Sequence, residues 1–202
     1  PIVKGWCTEV AQEITSLGVQ VHGGMGFIEE TGAAQYQRDA RITTIYEGTT
    51  GIQAGDLVGR KTLRDGGRGM EELISDMQDT VAGLNESTPA MRKIKKALAT
   101  SVDDLKNAAH WLLSNASDPQ LTAAAASSYL ELAGITCGGW MMAKSAALSN
   151  EKLKDSACDP FYAAKMDSAV FYCSQIMPFT SSLLNIIQNG SRDIVNLNLE
   201  SA

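Results

Sequence analysis

Three prolines constrain this chain more tightly than any other feature. Thr88-Pro89, Asp118-Pro119 and Asp159-Pro160 each place a capping side chain directly before a proline. Proline suits the first turn of a helix, where no N–H is needed, and is excluded from helix interiors. Each pair therefore predicts a helix start. Behind the first, Met91, Ile94, Leu98, Val102, Leu105, Ala109 and Leu112 recur at helical spacing. Behind the second, one long helix is expected, with Leu121, Ala125, Tyr129, Leu132, Thr136, Trp140, Ala143 and Ala147 on its buried side. A fourth helix runs from Pro160 until Pro178 ends or kinks it, and Thr180 to Gln188 makes a last one, closed by Asn189-Gly190. Long helices with short connections predict an all-α fold, an up-and-down bundle of antiparallel helices. Only 6% of residues are aromatic and β-branched runs are short, which agrees.

The first third is less regular. Residues 2–18 read as a helix on Val3, Trp6, Cys7, Val10, Ile14 and Leu17, with Gly18 stopping it. Residues 22–33 are glycine-rich and predict a turn and a short helix; 33–42 predict another. Glu47-Gly48-Thr49-Thr50 is a break, and Thr49 or Thr50 can cap a helix holding Ile52, Leu57 and Val58 and reaching about Leu63. Arg64-Asp65-Gly66-Gly67-Arg68-Gly69 is a flexible connector that divides the chain into 1–66 and 67–202. A helix from Gly69 to Ala82 follows it, and further on Trp140, Met141 and Met142 read as core.

Several function classes are disfavoured. The net charge is -6 and the 17 basic residues are scattered, whereas nucleic-acid binding needs clustered cations. The densest run, Arg92-Lys93-Ile94-Lys95-Lys96, reads as the solvated face of a helix. Cys7, Cys137, Cys158 and Cys173 form no CxxC pair, and His22 and His110 are the only histidines, so no metal site is expected. The cysteines read as buried thiols in a reducing compartment. No apolar run approaches the roughly 20 residues of a membrane span.

Two segments could carry chemistry. Glu47, taken alone, is a loop glutamate beside a glycine that lets backbone approach a ligand. Gln20-Val21-His22-Gly23-Gly24-Met25-Gly26-Phe27 offers glycines whose amides could meet a pyrophosphate, and a glutamine that could hydrogen-bond it. No strand precedes it, so it is not a dinucleotide fingerprint, and alone it reads equally as a helix C-cap and turn. His22 is a spacer in this segment rather than a base.

Together with Arg38-Asp39-Ala40-Arg41 and Tyr46-Glu47-Gly48-Thr49-Thr50, these residues resemble the C-terminal part of flavin-dependent acyl-CoA dehydrogenases, closely over residues 1 to about 63. Residues 70–202 resemble, more loosely, the extra C-terminal helical domain of a bacterial subgroup that includes the 3-methylthiopropionyl-CoA dehydrogenases. The resemblance implies that the chain opens inside the third domain of such an enzyme. It implies Glu47 as the base that takes the α proton of an acyl-CoA, and Gly48 against the substrate. Thr49, Thr50 and Gly51 would lie against FAD, with glycine at 51 where many relatives have glutamine and its side-chain contact. Gln20, Val21, His22, Gly23 and Gly24 would meet the adenosine diphosphate half of an FAD held mainly by a neighbouring subunit. Arg38–Arg41 would be structural. The product would be a trans-2-enoyl-CoA, the redox partner an electron-transfer flavoprotein, the assembly a homodimer or homotetramer, and the location the bacterial cytoplasm. The domains that form most of the pocket in the family lie outside this chain, so alone it is expected to be inactive. An acyl-CoA oxidase on the same fold would share these residues. A non-catalytic helical packing or oligomerisation module is the reading from a different class.

Overall fold

The computed structural model describes residues 1–155 and 159–197, so Cys158 lies outside the described residues. Among them there is no strand, and the fold is an all-α bundle. The helices are α1 Ile2–Val21, α2 Gly24–Phe27, α3 Ala33–Arg41, α4 Thr50–Val58, α5 Arg68–Gly83, α6 Pro89–Ser114, α7 Pro119–Ala124, α8 Ala126–Lys152, α9 Pro160–Gln175, α10 Phe179–Asn185 and α11 Ser191–Val195. Short 3-10 turns join α2 to α3 and follow α3.

The expected caps form. Thr88 Oγ1 accepts from Met91 N at 3.2 Å, Asp118 Oδ1 from Leu121 N at 3.0 Å, and Asp159 Oδ1 from Phe161 N at 2.9 Å. Each satisfies an N–H that the first helical turn leaves without a partner. Every apolar position expected on α6 is buried, from Met91 to Leu112.

α8 is the centre of the packing and touches α1, α4, α6, α9 and α10. One continuous core runs from Ala54, Leu57 and Val58 of α4 through Met77, Ile94, Leu98, Leu105 and Leu112 to Leu132, Ala143 and Ile187. α1 lies close against α8 because α8 offers backbone there instead of a side chain. A Cβ on Gly134 would fall 2.1 Å from Cγ of Trp6, well inside van der Waals contact. Buried hydroxyls pair across the core, Ser101 Oγ with Thr136 Oγ1 at 3.0 Å and Thr62 Oγ1 with Tyr129 Oη at 3.3 Å. This meets the requirement that interior polar groups find partners.

The structure corrects the sequence reading in several places. Gly18 does not stop α1, which continues to Val21, so Gln20 and Val21 are helical; a mid-helix glycine costs about 1 kcal/mol but does not forbid helix. The apolar series of α1 only partly turns inward: Val3, Ile14 and Leu17 are 77%, 61% and 54% exposed and Cys7 is exposed, Val10 is half-buried, and Trp6 alone of the series packs on the core, beside Gly5. The third long helix is broken at Ala125 into α7 and α8. Asn189-Gly190 does not end the chain's helical path; a π turn, Ile186–Gly190, leads into α11. Met141 is 46% exposed, and Trp140 is half-buried with Nε1 donating to Thr80 Oγ1 at 2.7 Å and Lys144 over its ring. Cys7 is exposed, not buried. By length and composition Pro160–Val195 could cross a membrane: an 18-residue window within it has mean hydropathy 1.2 and is 28% buried. As expected, the path is parted next to Pro178, into α9 and α10, and α9 packs along α8 and α6.

Burial pushes the Cys173 thiol up to about 11 and the Tyr129 phenol up to about 12. Both groups hold their protons more tightly folded than unfolded, so their contribution to stability is complete below pH 9 and is lost as pH climbs through 11 to 12. The urea midpoint of the chain is therefore expected to hold to about pH 9 and fall steadily above it. A midpoint that stays level to pH 11 would contradict this.

Candidate active site

The loop that carries Glu47 is built from both sides. α3 ends in the 3-10 turn Ile42–Thr44, where Arg41 Nη1 donates to Thr44 Oγ1 at 3.0 Å and Thr44 is 4% exposed. Amides of Ile45 and Tyr46 both donate to the carbonyl of Ile42 at 3.0 Å. Glu47 then takes φ 54°, the only positive φ among the described non-glycine residues, and Gly48 follows at 91°. Two left-handed residues in succession turn the chain into α4. The second could hardly carry a side chain, since a Cβ at Gly48 would lie 3.0 Å from Nε2 of Gln53 and 3.3 Å from Cγ2 of Ile52. Thr49 caps α4 through Oγ1, which accepts from Ile52 N at 3.4 Å.

Side chains from two helices fasten this loop. Gln53 Nε2 on α4 donates to the carbonyl of Glu47 at 3.1 Å. Lys4 Nζ, from the first turn of α1, donates to the carbonyl of Gly48. Thr50 Oγ1 donates to Glu9 Oε1 of α1, so its proton is engaged while its lone pairs stay available. Gly51 is exposed, and a Cβ there would meet only Thr49 Oγ1, at 4.0 Å. Glu47 itself is exposed, and its carboxylate has no hydrogen-bond or ion-pair partner among the described residues.

The second segment lies at the other end of α1. Gly23 N donates to the carbonyl of Gln20 at 3.0 Å, and Gly23 has φ 60°. His22 closes the helix and its Nδ1 meets the carbonyl of Gly18 at 2.9 Å. Gln20, Val21, His22, Gly23 and Gly24 are all exposed, and no side chain stands over Gly23 or Gly24. α2 folds back so closely that a Cβ on Gly26 would be 2.2 Å from the carbonyl oxygen of Val19. The bidentate ion pair of Arg38 with Glu29 braces the following turn and holds the Glu29 carboxyl below its usual range. Arg38 and Arg41 both bond within the turns that flank α3, and both also line the cleft between α1 and α3.

The two segments do not form one pocket. Lys4 and Glu9 hold the Glu47 loop on the first half of α1, whereas Gln20 begins the second segment eleven residues beyond Glu9, about 16 Å along the helix axis. Between α1 and α3, a separate cleft of about 630 Å³ is lined by Gln12, Val19, Phe27, Ile28, Gln37 and Arg41 and reaches neither Glu47 nor Gly24. Lys4, Glu9 and Gln53 were not legible as part of the site. Their only signal is a polar side chain on a helix face, which is the ordinary appearance of a solvated residue.

Residues 1–62 match the family described as acyl-CoA dehydrogenase, C-terminal domain, and residues 73–198 match the one described as acetyl-CoA dehydrogenase C-terminal like. Among curated proteins, the chain is 43% identical over 178 residues to 3-methylmercaptopropionyl-CoA dehydrogenase of Ruegeria pomeroyi, covering 88% of this chain and 30% of that protein. It is 28% identical over 207 residues to the broad-specificity linear acyl-CoA dehydrogenase FadE5 of Mycobacterium tuberculosis, covering 98% of this chain and 34% of that protein. Over 52 residues it is 42% identical to subunit CarC of the caffeyl-CoA reductase-Etf complex of Acetobacterium woodii, covering 26% of this chain and 14% of that subunit. The chain spans about a third of the length of the first two relatives.

Proposed function

Because this chain belongs to the acyl-CoA dehydrogenase family, we propose that it supplies the base-bearing loop and one face of a cofactor site to an enzyme that oxidises an acyl-CoA to the trans-2-enoyl-CoA. The observation that carries this reading is the Glu47 loop: a carboxylate without a partner, on a backbone in the left-handed region that two other elements hold in place. Backbone strain of this kind is concentrated at functional sites because surrounding structure must pay to keep it. Glu47 takes the proton α to the thioester, and Gly48, with no side chain, lets the substrate approach the loop.

The residues present fit FAD as one wall of a site. Thr49 Oγ still has a proton to donate, the Gly51 backbone is open, and the exposed Gly23 and Gly24 leave room for a pyrophosphate against main chain. When bound, FAD would accept the hydride that leaves the β carbon. The separation of the two segments along α1 suits contacts with two different FAD molecules, Thr49 to Gly51 with one and Gln20 to Gly24 with that of a neighbouring subunit in a homodimer or homotetramer. The name of the CarC relative supports an electron-transfer flavoprotein as the redox partner. The division at residues 66 and 67, with the later part serving as a packing domain, and a place in the bacterial cytoplasm complete the proposal.

The chain alone exposes its site residues on every open side, so FAD added to it is expected to bind weakly or not at all. A stoichiometric flavin titration of the purified chain would overturn that. The reaction itself is tested by anaerobic flavin bleaching of a longer enzyme that carries this sequence, with a panel of acyl-CoAs including 3-methylthiopropionyl-CoA, beside its Glu47→Gln variant. Equal bleaching by both would place the base elsewhere.

A further inference from the structure

We propose that Lys4 and Gln53 are positioning residues that present the Glu47 carboxylate to the substrate, a role that rests on the reading of Glu47 as the base. A non-glycine residue in the left-handed region carries a penalty of about 1–2 kcal/mol. The loop from Ile45 to Thr49 has such a residue and a left-handed glycine next to it, so without restraint it would relax. The restraint is specific. The carbonyl of Glu47 is caught by Gln53, which stands on the helix after the loop, and the carbonyl of Gly48 by Lys4, which stands on a helix more than forty residues earlier. The φ and ψ of Gly48 lie between those two fixed peptides, and the first of them, the peptide that follows Glu47, anchors the C-terminal side of the Glu47 Cα.

Both restraints act on backbone oxygens. The ammonium of Lys4 makes no ion pair with Glu47 among the described residues, and the amide of Gln53 donates to the main chain. The loop is held without occupying the carboxylate, which a base requires. Lys4 is in turn fixed through α1: Gly5 sits against Leu130, with 2.6 Å from a notional Cβ to Cδ2, and Trp6 lies on Gly134. The bundle centred on α8 thereby backs the loop from behind, through one turn of α1.

The experiment compares Lys4→Met, Lys4→Arg, Gln53→Met and Glu47→Gln in a longer enzyme carrying this sequence. Three quantities are read: steady-state kinetics, exchange of the substrate α hydrogen with deuterated solvent, and hydrogen exchange of amides 46–50. Misplacement of a catalytic group by about 1 Å can lower turnover about 100-fold. Lys4→Met and Gln53→Met are expected to lower kcat and α exchange together, by about 10-fold to 100-fold, with KM within about twofold and an unchanged melting temperature. Amides 46–50 should exchange faster in both. Lys4→Arg keeps a donor and should restore most of the rate. Glu47→Gln should abolish α exchange while leaving exchange of those amides at the parent's rate. If Glu47→Gln loses α exchange but Lys4→Met and Gln53→Met do not, the positioning role is wrong and the base stands. If losses appear in KM with a lowered melting temperature and no rescue by arginine, the two residues are only structural, which also overturns the proposal. If Glu47→Gln keeps full α exchange, both readings fall together.

Discussion

Replacing Glu47 with glutamine in a longer enzyme carrying this sequence lowers kcat by about 100-fold to 10,000-fold, the range that a positioned general base contributes. Stability should not follow. The Glu47 carboxylate is exposed and makes no bond among the described residues, so its loss removes no native contact. The main-chain carbonyl of Glu47 keeps its bond from Gln53, since glutamine has the same backbone. Surface substitutions of this kind stay within about 0.5 kcal/mol. A melting temperature within about 2 °C of the parent, beside a collapsed kcat, separates a chemical role from a folding one. Aspartate at the same position retains the carboxylate but draws it back by one methylene; a partial loss there, between parent and glutamine, is the matching expectation.

The second large effect belongs to Gly134. On an exposed helix, glycine to alanine would stabilise by about 1 kcal/mol. Here the sign reverses. The added Cβ would meet Trp6 at Cγ, Cδ2 and Cβ, at 2.1, 2.5 and 2.6 Å. These are the ring and stem atoms nearest the α1 backbone, so no end-group rotation clears the space; α1 itself must lift. Overpacking of this severity costs about 1–3 kcal/mol, and the position of the clash argues for the upper end. For a chain of this size that is a fall of roughly 6–12 °C in melting temperature. The assignment is checked by a double-mutant cycle with Trp6→Ala. Neighbours in contact are not additive, so Gly134→Ala should cost much less once Trp6 has gone. Additive costs would show that the two residues do not meet.

How much of this was legible in the sequence depended on where the determining interaction lies. Helix starts at Thr88, Asp118 and Asp159 are written locally, because cap and proline are adjacent, and all three form. The buried stripe of α6 was legible because both flanks of that helix are packed within the chain, on α5 and on α8. α1 shows the limit. Its apolar series announces a helix but not which side this chain covers, and the side at Trp6 is covered because Gly134 of α8, far away in sequence, leaves room for the ring. Ala125 has no glycine, proline or capping side chain to mark the break between α7 and α8. At the site, Glu47, Gly48 and a threonine cap at 49 or 50 could be read from a short motif, and the structure places the cap at Thr49. Lys4 could not, because its bond spans 44 residues and ends on a carbonyl, which has no residue identity to read.

The glycine-faced side of α8 also bears on how such a protein could be diversified. Positions 134, 138 and 139 each have a side chain from another part of the bundle, Trp6, Tyr172 and Met177, within 2.5 Å of where a Cβ would be. Glu131, Met141, Lys144 and Leu148 look outward from the same helix. A randomised library across α8 would therefore return folded members varied at the second set and nearly fixed at the first. Selection for activity would show the same boundary, although none of these positions touches the Glu47 loop.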